Sequence, residues 1–113
     1  MSVSVTKFFL FADSGSTKTA WLLYDKTTKT KIYFDTLGIN PTIQSHEEIL
    51  QKIHTNQDLI DVAKSVSEIR FFGAGCSSKE RNALVASALK TVFKNAKTIE
   101  VDHDMKAAAI AIC

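Results

Sequence analysis

Short apolar runs separated by polar turns occupy the first third of the chain. Residues 7–12, 20–25 and 31–38 are rich in aromatic and aliphatic side chains, which predicts three consecutive antiparallel strands. The GINP segment that ends at Pro41 is expected to stop the third strand. Proline has no N–H donor, and it moves the residue before it away from helical angles.

Helical spacing of apolar residues begins after this break. Ser45 and Glu48 have the spacing of a capping box, in which each side chain bonds to the backbone N–H of the other, so a helix is predicted to begin there. A weaker helical pattern runs through residues 59–66. Residues 68–72 then predict a short strand that ends in the Gly73-Ala74-Gly75 turn.

A third helix and a fifth strand complete the pattern. Ser77 or Ser78 is the expected N-cap, and the predicted apolar face of the helix consists of Leu84, Val85, Ala88, Leu89, Val92 and Phe93. Residues 98–102 predict a strand, and Asp104 is expected to open another helix. Hairpin strands followed by alternating strands and helices predict an α/β domain with a mixed five-stranded sheet and helices on its faces.

Length, charge and cysteine content narrow the class of protein. With 113 residues and 45% hydrophobic residues the chain suits a single domain. The alanine-rich stretch over residues 107–113 stops without a cap, so residues 1–113 are expected to be a fragment of a longer protein. The net charge of +2 comes from scattered lysines, and no apolar run is long enough for a membrane span or a signal peptide. Cys76 and Cys113 form no metal or disulfide motif, which is typical of a cytoplasmic protein. The scattered lysines and the short apolar runs predict that nucleic acids and membranes are not its partners.

The turn over residues 13–19, DSGSTKT, carries the first candidate chemistry. It lacks the second glycine and the following helix of a P-loop, but a hairpin can still bind phosphate. Gly15 can take a positive φ and expose backbone N–H groups, Lys18 adds charge, and Asp13 can hold Mg²⁺ through water. A long polar hairpin with a spare lysine explains the same residues, and the residue types leave both interpretations open.

Two further motifs follow strands. The GAGCSS segment over residues 73–78 lacks the third glycine of a dinucleotide fingerprint, so a tight strand-to-helix turn is the favoured interpretation. Its place at the carboxyl end of a strand is nevertheless where ligands bind in open α/β sheets. Asp102, His103 and Asp104 cannot all converge, because adjacent strand residues point to opposite faces. Asp104 is either an N-cap or a general base, and His103 is expected to make local hydrogen bonds.

These segments together resemble the first half of the actin-like ATPase and sugar kinase superfamily, whose domains have a ribonuclease H-like fold. The closest likeness is to the BadF/BadG/BcrA/BcrD-type ATPases, a group that includes N-acetylglucosamine kinases and the activator ATPases of benzoyl-CoA reductase and 2-hydroxyacyl-CoA dehydratase. The likeness rests on FADSGSTKTAWLLYD, GINP, FFGAGC and VDHDMKAAA in their order along the chain. The chain departs from the family pattern at Ser14, where glycine is common, and at Pro41.

The resemblance implies a role for each matching residue and ATP with Mg²⁺ as nucleotide and cofactor. Asp13 would organise Mg²⁺, Asn40 and Gly75 would contact the sugar, and Asp104 would accept the proton of the attacking hydroxyl. The residues that would hold the nucleotide phosphates are Gly15, Ser16, Thr17 and Lys18. The second phosphate turn and the adenosine pocket of such proteins come later in the chain, so residues 1–113 would form one wall of the cleft.

Three functions remain open at this stage. The first is phosphorylation of N-acetylglucosamine or a related amino sugar by ATP. The second is an ATPase that activates a CoA-ester reductase or dehydratase, which would require cluster-binding cysteines. The third is a sugar-sensing regulator without catalysis, and the presence of both Asp13 and Asp104 argues against it. The resemblance also leaves homodimerisation open.

Overall fold

The structure is a computed structural model that describes residues 8–15, 17–73, 75–76 and 78–103. The strands in this part of the chain are β1 (Phe8–Ser14), β2 (Lys18–Asp25), β3 (Thr30–Leu37), β4 (Val66–Gly73) and β5 (Thr98–Asp102). The α-helices in the same part are α1 (His46–Ile53), α2 (Gln57–Asp61) and α3 (Lys79–Val92).

The strands form a mixed five-stranded sheet in the order β3-β2-β1-β4-β5. The first three strands pair antiparallel, whereas β4 is parallel to both β1 and β5. The predicted fold class is therefore confirmed. In this topology the carboxyl ends of β1, β4 and β5 lie at one edge of the sheet, where ligands of open α/β sheets bind.

One face of the sheet packs against the helices described and forms the core. The strand residues of this core are Leu10, Ala12, Trp21, Leu23, Phe34, Ile69 and Phe71. The helical residues that cover them include Ile49, Ile53, Leu59, Val85, Ala88 and Leu89. Because side chains alternate between the two faces of a strand, this packing fixes which neighbours turn to the opposite face.

Trp21 is the largest side chain of this core. It is 1% exposed, and its ring lies 6.0 Å from that of Phe71 and 6.1 Å from that of Phe93. Its indole Nε1–H donates to the hydroxyl of Thr36 at 2.8 Å, and Thr36 is itself buried. The core therefore includes one polar contact that satisfies the buried indole.

The helix starts follow the predicted capping residues. Ser45 Oγ accepts from the N–H of Glu48, and the Glu48 carboxylate accepts from the N–H of Ser45 at 2.8 Å, so the capping box is confirmed. Ser78 caps α3 by accepting from the N–H of Arg81 at 3.2 Å. The predicted helix at Asp104 lies outside the described residues.

Two predicted boundaries were wrong. The helix expected over residues 59–66 ends at Asp61, and a 3₁₀ turn over Ala63–Ser65 leads directly into β4, where fully buried Val66 pairs with Phe8. The polar turn is also shorter than expected, since β1 and β2 extend to a Ser14–Thr19 pair. Both changes arise because tertiary packing outweighs the local preference of the sequence. None of the helices described is long and apolar enough to cross a membrane.

We expect Thr36→Val to lower the free energy of unfolding by about 1–3 kcal/mol, because it leaves the buried indole N–H of Trp21 without an acceptor. Guanidinium unfolding followed by the fluorescence of Trp21 measures this change. Thr30→Val, at an exposed position of the same strand, is the matched control and should stay within about 0.5 kcal/mol of the parent. Equal effects of the two substitutions would contradict the role assigned to the Thr36 hydroxyl.

Candidate functional site

The hairpin between β1 and β2 is closed by a backbone hydrogen bond from the Gly15 N–H to the Lys18 carbonyl at 2.8 Å. The expectation that Gly15 takes a positive φ is wrong, because no described glycine does so. Its N–H donor is used to close the turn and does not point towards a ligand. Phosphate binding at this hairpin would therefore depend on side chains and on neighbouring backbone donors.

Asp13 and Lys18 lie on the sheet face opposite the described helices. Asp13 is exposed, and no described residue bonds to its carboxylate. The strand register aligns Asp13 with Phe72 of β4 and, through it, with Asp102 of β5. The Lys18 side chain is 63% exposed, and its Nζ lies 3.9 Å from the Asp35 carboxylate. An exposed pair at this distance contributes little to stability, so Lys18 remains able to reach an anion.

Ser14 and Thr19 turn to the other face, where both are buried. Their hydroxyl oxygens are 2.9 Å apart, and the Ser14 hydroxyl donates to the Ile39 carbonyl at 2.7 Å. The Ile39 N–H in turn donates to Ser14 Oγ at 3.0 Å. Sequence reasoning treated Ser14 only as a departure from glycine. The signal that could have revealed its role is the alternation along β1, which turns Ser14 inward once Asp13 faces outward.

Asn40 follows Ile39 in a loop that is held by its own hydrogen bonds. The Asn40 Oδ1 accepts from the N–H of Thr42 at 3.0 Å and from the Thr42 hydroxyl. The Asn40 N–H donates to the Gln44 side chain at 2.9 Å, and Gln44 Nε2 donates to the Gly38 carbonyl at 3.1 Å. Among the described residues none accepts from Asn40 Nδ2, which carries two hydrogen-bond donors.

Gly75 lies directly against this loop. A Cβ added at Gly75 would collide with Asn40 Oδ1 and would lie 2.9 Å from the Thr42 hydroxyl and 3.2 Å from Pro41 Cδ. The glycine is therefore required by close approach of the β4–α3 turn to the loop, and its φ is not positive. The structure brings together Asn40 and Gly75, the two residues assigned to a sugar, although their binding role stays a prediction.

Three further polar residues at this edge are Cys76, Asp102 and His103. Cys76 is fully buried. Burial is the larger cause that raises the pKa of its thiol to about 11, and the negative charge of the nearby Asp102 carboxylate is the smaller one. The Asp102 carboxylate accepts from the His103 N–H at 2.6 Å and lies 3.2 Å from the His103 ring. The expected local role of His103 is thus confirmed. Among the residues described, no group of three or more His, Cys, Asp or Glu side chains could hold a metal ion.

Two site residues predicted from the sequence, Ser16 and Asp104, lie outside the described residues. Of the others, Thr17 is exposed, and its carbonyl accepts from the Gly38 N–H at 3.1 Å. The described part of the site therefore has two halves at one edge of the sheet. Asp13 and Lys18 face away from the helices, whereas the loop carrying Asn40 is bonded to the hairpin from the helix side.

Comparison with solved structures identifies the fold. The candidate N-acetylglucosamine kinase of Porphyromonas gingivalis is 34% identical over 93% of this chain, with a TM-score of 0.77. A reductive activator for a corrinoid, iron–sulfur protein is 11% identical over 88% of this chain, with a TM-score of 0.62. The chain spans 37% of the length of the first protein and 23% of the second. No protein-family model matches the sequence, and no curated protein does so.

The level of identity decides what each likeness means. The activator shares the fold with this chain and, at 11% identity, supports nothing further. The likeness to the candidate kinase covers 93% of this chain at 34% identity. The chain therefore has a sugar kinase-like fold, as the resemblance of its motifs implied.

We expect Gly75→Ala to lower the free energy of unfolding by about 1–3 kcal/mol, because the added methyl group would displace the Asn40 side chain. Changes in amide chemical shift should be concentrated at Asn40 and Thr42, which flank Pro41. Gly15→Ala is the matched control, since a Cβ there meets only the Lys18 carbonyl at 3.6 Å, and it should change stability by less than about 1 kcal/mol. The two denaturation curves measure the difference, and a Gly75→Ala protein as stable as the control would refute the close approach.

Titration of Cys76 should make the fold less stable in alkaline solution. The raised pKa means that the folded state favours the thiol form, so this contribution is complete below about pH 9 and is lost as the pH rises towards about 11. The loss should be about 2–3 kcal/mol. Unfolding of the parent and of Cys76→Ala from pH 8 to 11 isolates the contribution of the Cys76 thiol, because every other group is present in both proteins. Parallel curves for the two proteins would exclude it.

Proposed function

We propose that residues 1–113 form the first domain of an ATP-dependent kinase that phosphorylates N-acetylglucosamine or a related amino sugar. The observation that supports this proposal best is the 34% identity to the candidate N-acetylglucosamine kinase over 93% of this chain. The second domain, with the rest of the nucleotide site, belongs to the remainder of such a protein. The proposed setting is the cytoplasm.

The hairpin residues would hold the nucleotide on one wall of the cleft. Lys18 has an exposed ammonium group whose weak pairing with Asp35 leaves it available to phosphate oxygens. The Thr17 and Ser16 hydroxyls would add donors beside it. The exposed Asp13 carboxylate fits a water-bound Mg²⁺, which takes oxygen ligands and keeps several of its waters. Bound there, Mg²⁺ would neutralise charge on the phosphates.

The sugar would lie near the Asn40 loop. Because Thr42 occupies Asn40 Oδ1, the Nδ2–H₂ group would act as the donor towards a hydroxyl or acetamido oxygen of the sugar. The absence of a side chain at Gly75 keeps this position of the Asn40 side chain accessible. Asp104 would accept the proton of the attacking hydroxyl, and transfer would otherwise depend on positioning and on charge neutralisation.

The test is ADP release by the kinase that contains this chain, with Mg-ATP and N-acetylglucosamine, glucosamine, glucose or no sugar. Release that depends on an amino sugar supports the proposal. Release without sugar would instead favour an ATPase activator, and no release under any condition would favour a sugar-sensing regulator.

We expect Asp104→Asn to lower kcat of this sugar-dependent release by about 10²–10⁴-fold, because the asparagine amide cannot accept the proton. Asp102→Asn is the control. The Asp102 carboxylate already accepts a hydrogen bond from the His103 N–H, so we expect this substitution to leave kcat within a few-fold of the parent value. Turnover of Asp104→Asn above about a tenth of the parent value would show that Asp104 is not the base.

A further inference from the structure

The loop that carries Asn40 is fastened to the hairpin by buried hydrogen bonds, not by side-chain packing alone. Ser14 Oγ contacts both the N–H and the carbonyl of Ile39, at 3.0 and 2.7 Å. The Thr19 hydroxyl donates to the Leu37 carbonyl at 3.1 Å, and the Gly38 N–H donates to the Thr17 carbonyl at 3.1 Å. Consecutive loop residues are therefore each bonded to a hairpin residue.

The two hydroxyl groups share too few protons to fill every contact at once. Ser14 and Thr19 each have one O–H donor, whereas three contacts need a hydroxyl proton: those to the Ile39 carbonyl, to the Leu37 carbonyl and between the two hydroxyl oxygens. With Ser14 4% and Thr19 0% exposed, water does not readily supply the missing donor. The contacts are thus interdependent, and a change at either hydroxyl alters the bonds of both loop carbonyls.

Residues 40–44, which follow Ile39, behave as a unit because the polar groups of this loop bond to one another. Gln44 bridges the Gly38 carbonyl and the Asn40 N–H, and the Ile43 and Gln44 N–H groups both donate to the Asn40 carbonyl. A displacement of Ile39 would therefore move Asn40 with it. The hairpin carries Thr17 and Lys18, the residues proposed to bind phosphates, and the loop carries the Asn40 amide. The hydrogen bonds between hairpin and loop therefore connect the two proposed binding positions.

We infer that Ser14 is a positioning residue that couples the hairpin to the Asn40 loop, so that a phosphate ligand on the hairpin and a sugar at Asn40 strengthen each other's binding. The identity of the two ligands rests on the proposed function. A ligand that orders the hairpin also orders the loop, and the second ligand then has less ordering to bring about. Such coupling is reciprocal and typically amounts to 5–150-fold in affinity.

The first arm of the test needs no ligand and uses amide hydrogen exchange in the ¹⁵N-labelled chain. Ser14→Ala should speed exchange at Gly38 and Asn40 by about ten-fold, although neither amide bonds to Ser14. Ser67→Ala is the matched control, since its hydroxyl bonds to the Phe8 carbonyl at the opposite edge of the sheet. Faster exchange confined to Ile39, the direct partner of Ser14, would overturn the inference.

The second arm measures the dissociation constant of N-acetylglucosamine by NMR titration of the kinase that contains this chain, with and without Mg-ADP. We expect Mg-ADP to tighten sugar binding at least five-fold in the parent, in Ser67→Ala and in Thr19→Ser, which keeps its hydroxyl. In Ser14→Ala the ratio should approach one. An unchanged ratio in Ser14→Ala would overturn the inference while leaving the proposed function standing. If neither ligand binds that kinase, the proposed function loses its support, and the exchange arm decides the inference alone.

Discussion

Adjacent residues at the end of a strand must point to opposite faces of the sheet, and the candidate site depends on this constraint. β1 is the central strand, paired with β2 on one side and with β4 on the other. At its carboxyl end Asp13 faces outward and Ser14 faces inward. The same turn can therefore present a carboxylate to a cation on one face and hold a loop by a hydroxyl on the other.

The features predicted correctly from the sequence are those encoded by nearby residues. The capping box joins Ser45 to Glu48, three positions apart, and the apolar periodicity of α3 repeats within a few turns, so each can be identified in a short window. The prediction of a helix over residues 59–66 was wrong because Val66 is fully buried in β4, and strand pairing there depends on residues far away in the chain. The mixed sheet was predicted from hairpin strands followed by alternating strands and helices, which is again a regular pattern. The parallel pairing of β1 with β4 was not predicted.

The site was predicted less completely, because its contacts join distant parts of the chain. Ser14 and Ile39 are 25 residues apart, and their bonds follow from the register of the strands and from the path of the loop after β3. The family resemblance drew attention to Asn40 and Gly75, but it could not show that the glycine lies against the amide of the asparagine. Motif order indicates which residues matter, whereas the register of the sheet determines which of them meet.

The glycines show how one residue type serves different purposes within one motif set. Gly15 was expected to supply a left-handed conformation, yet its φ is not positive and there is space beside it for a Cβ. The φ of Gly75 is not positive either, but there a Cβ would occupy the position of the Asn40 side chain. A glycine in a ligand-binding turn can thus be required by space rather than by φ.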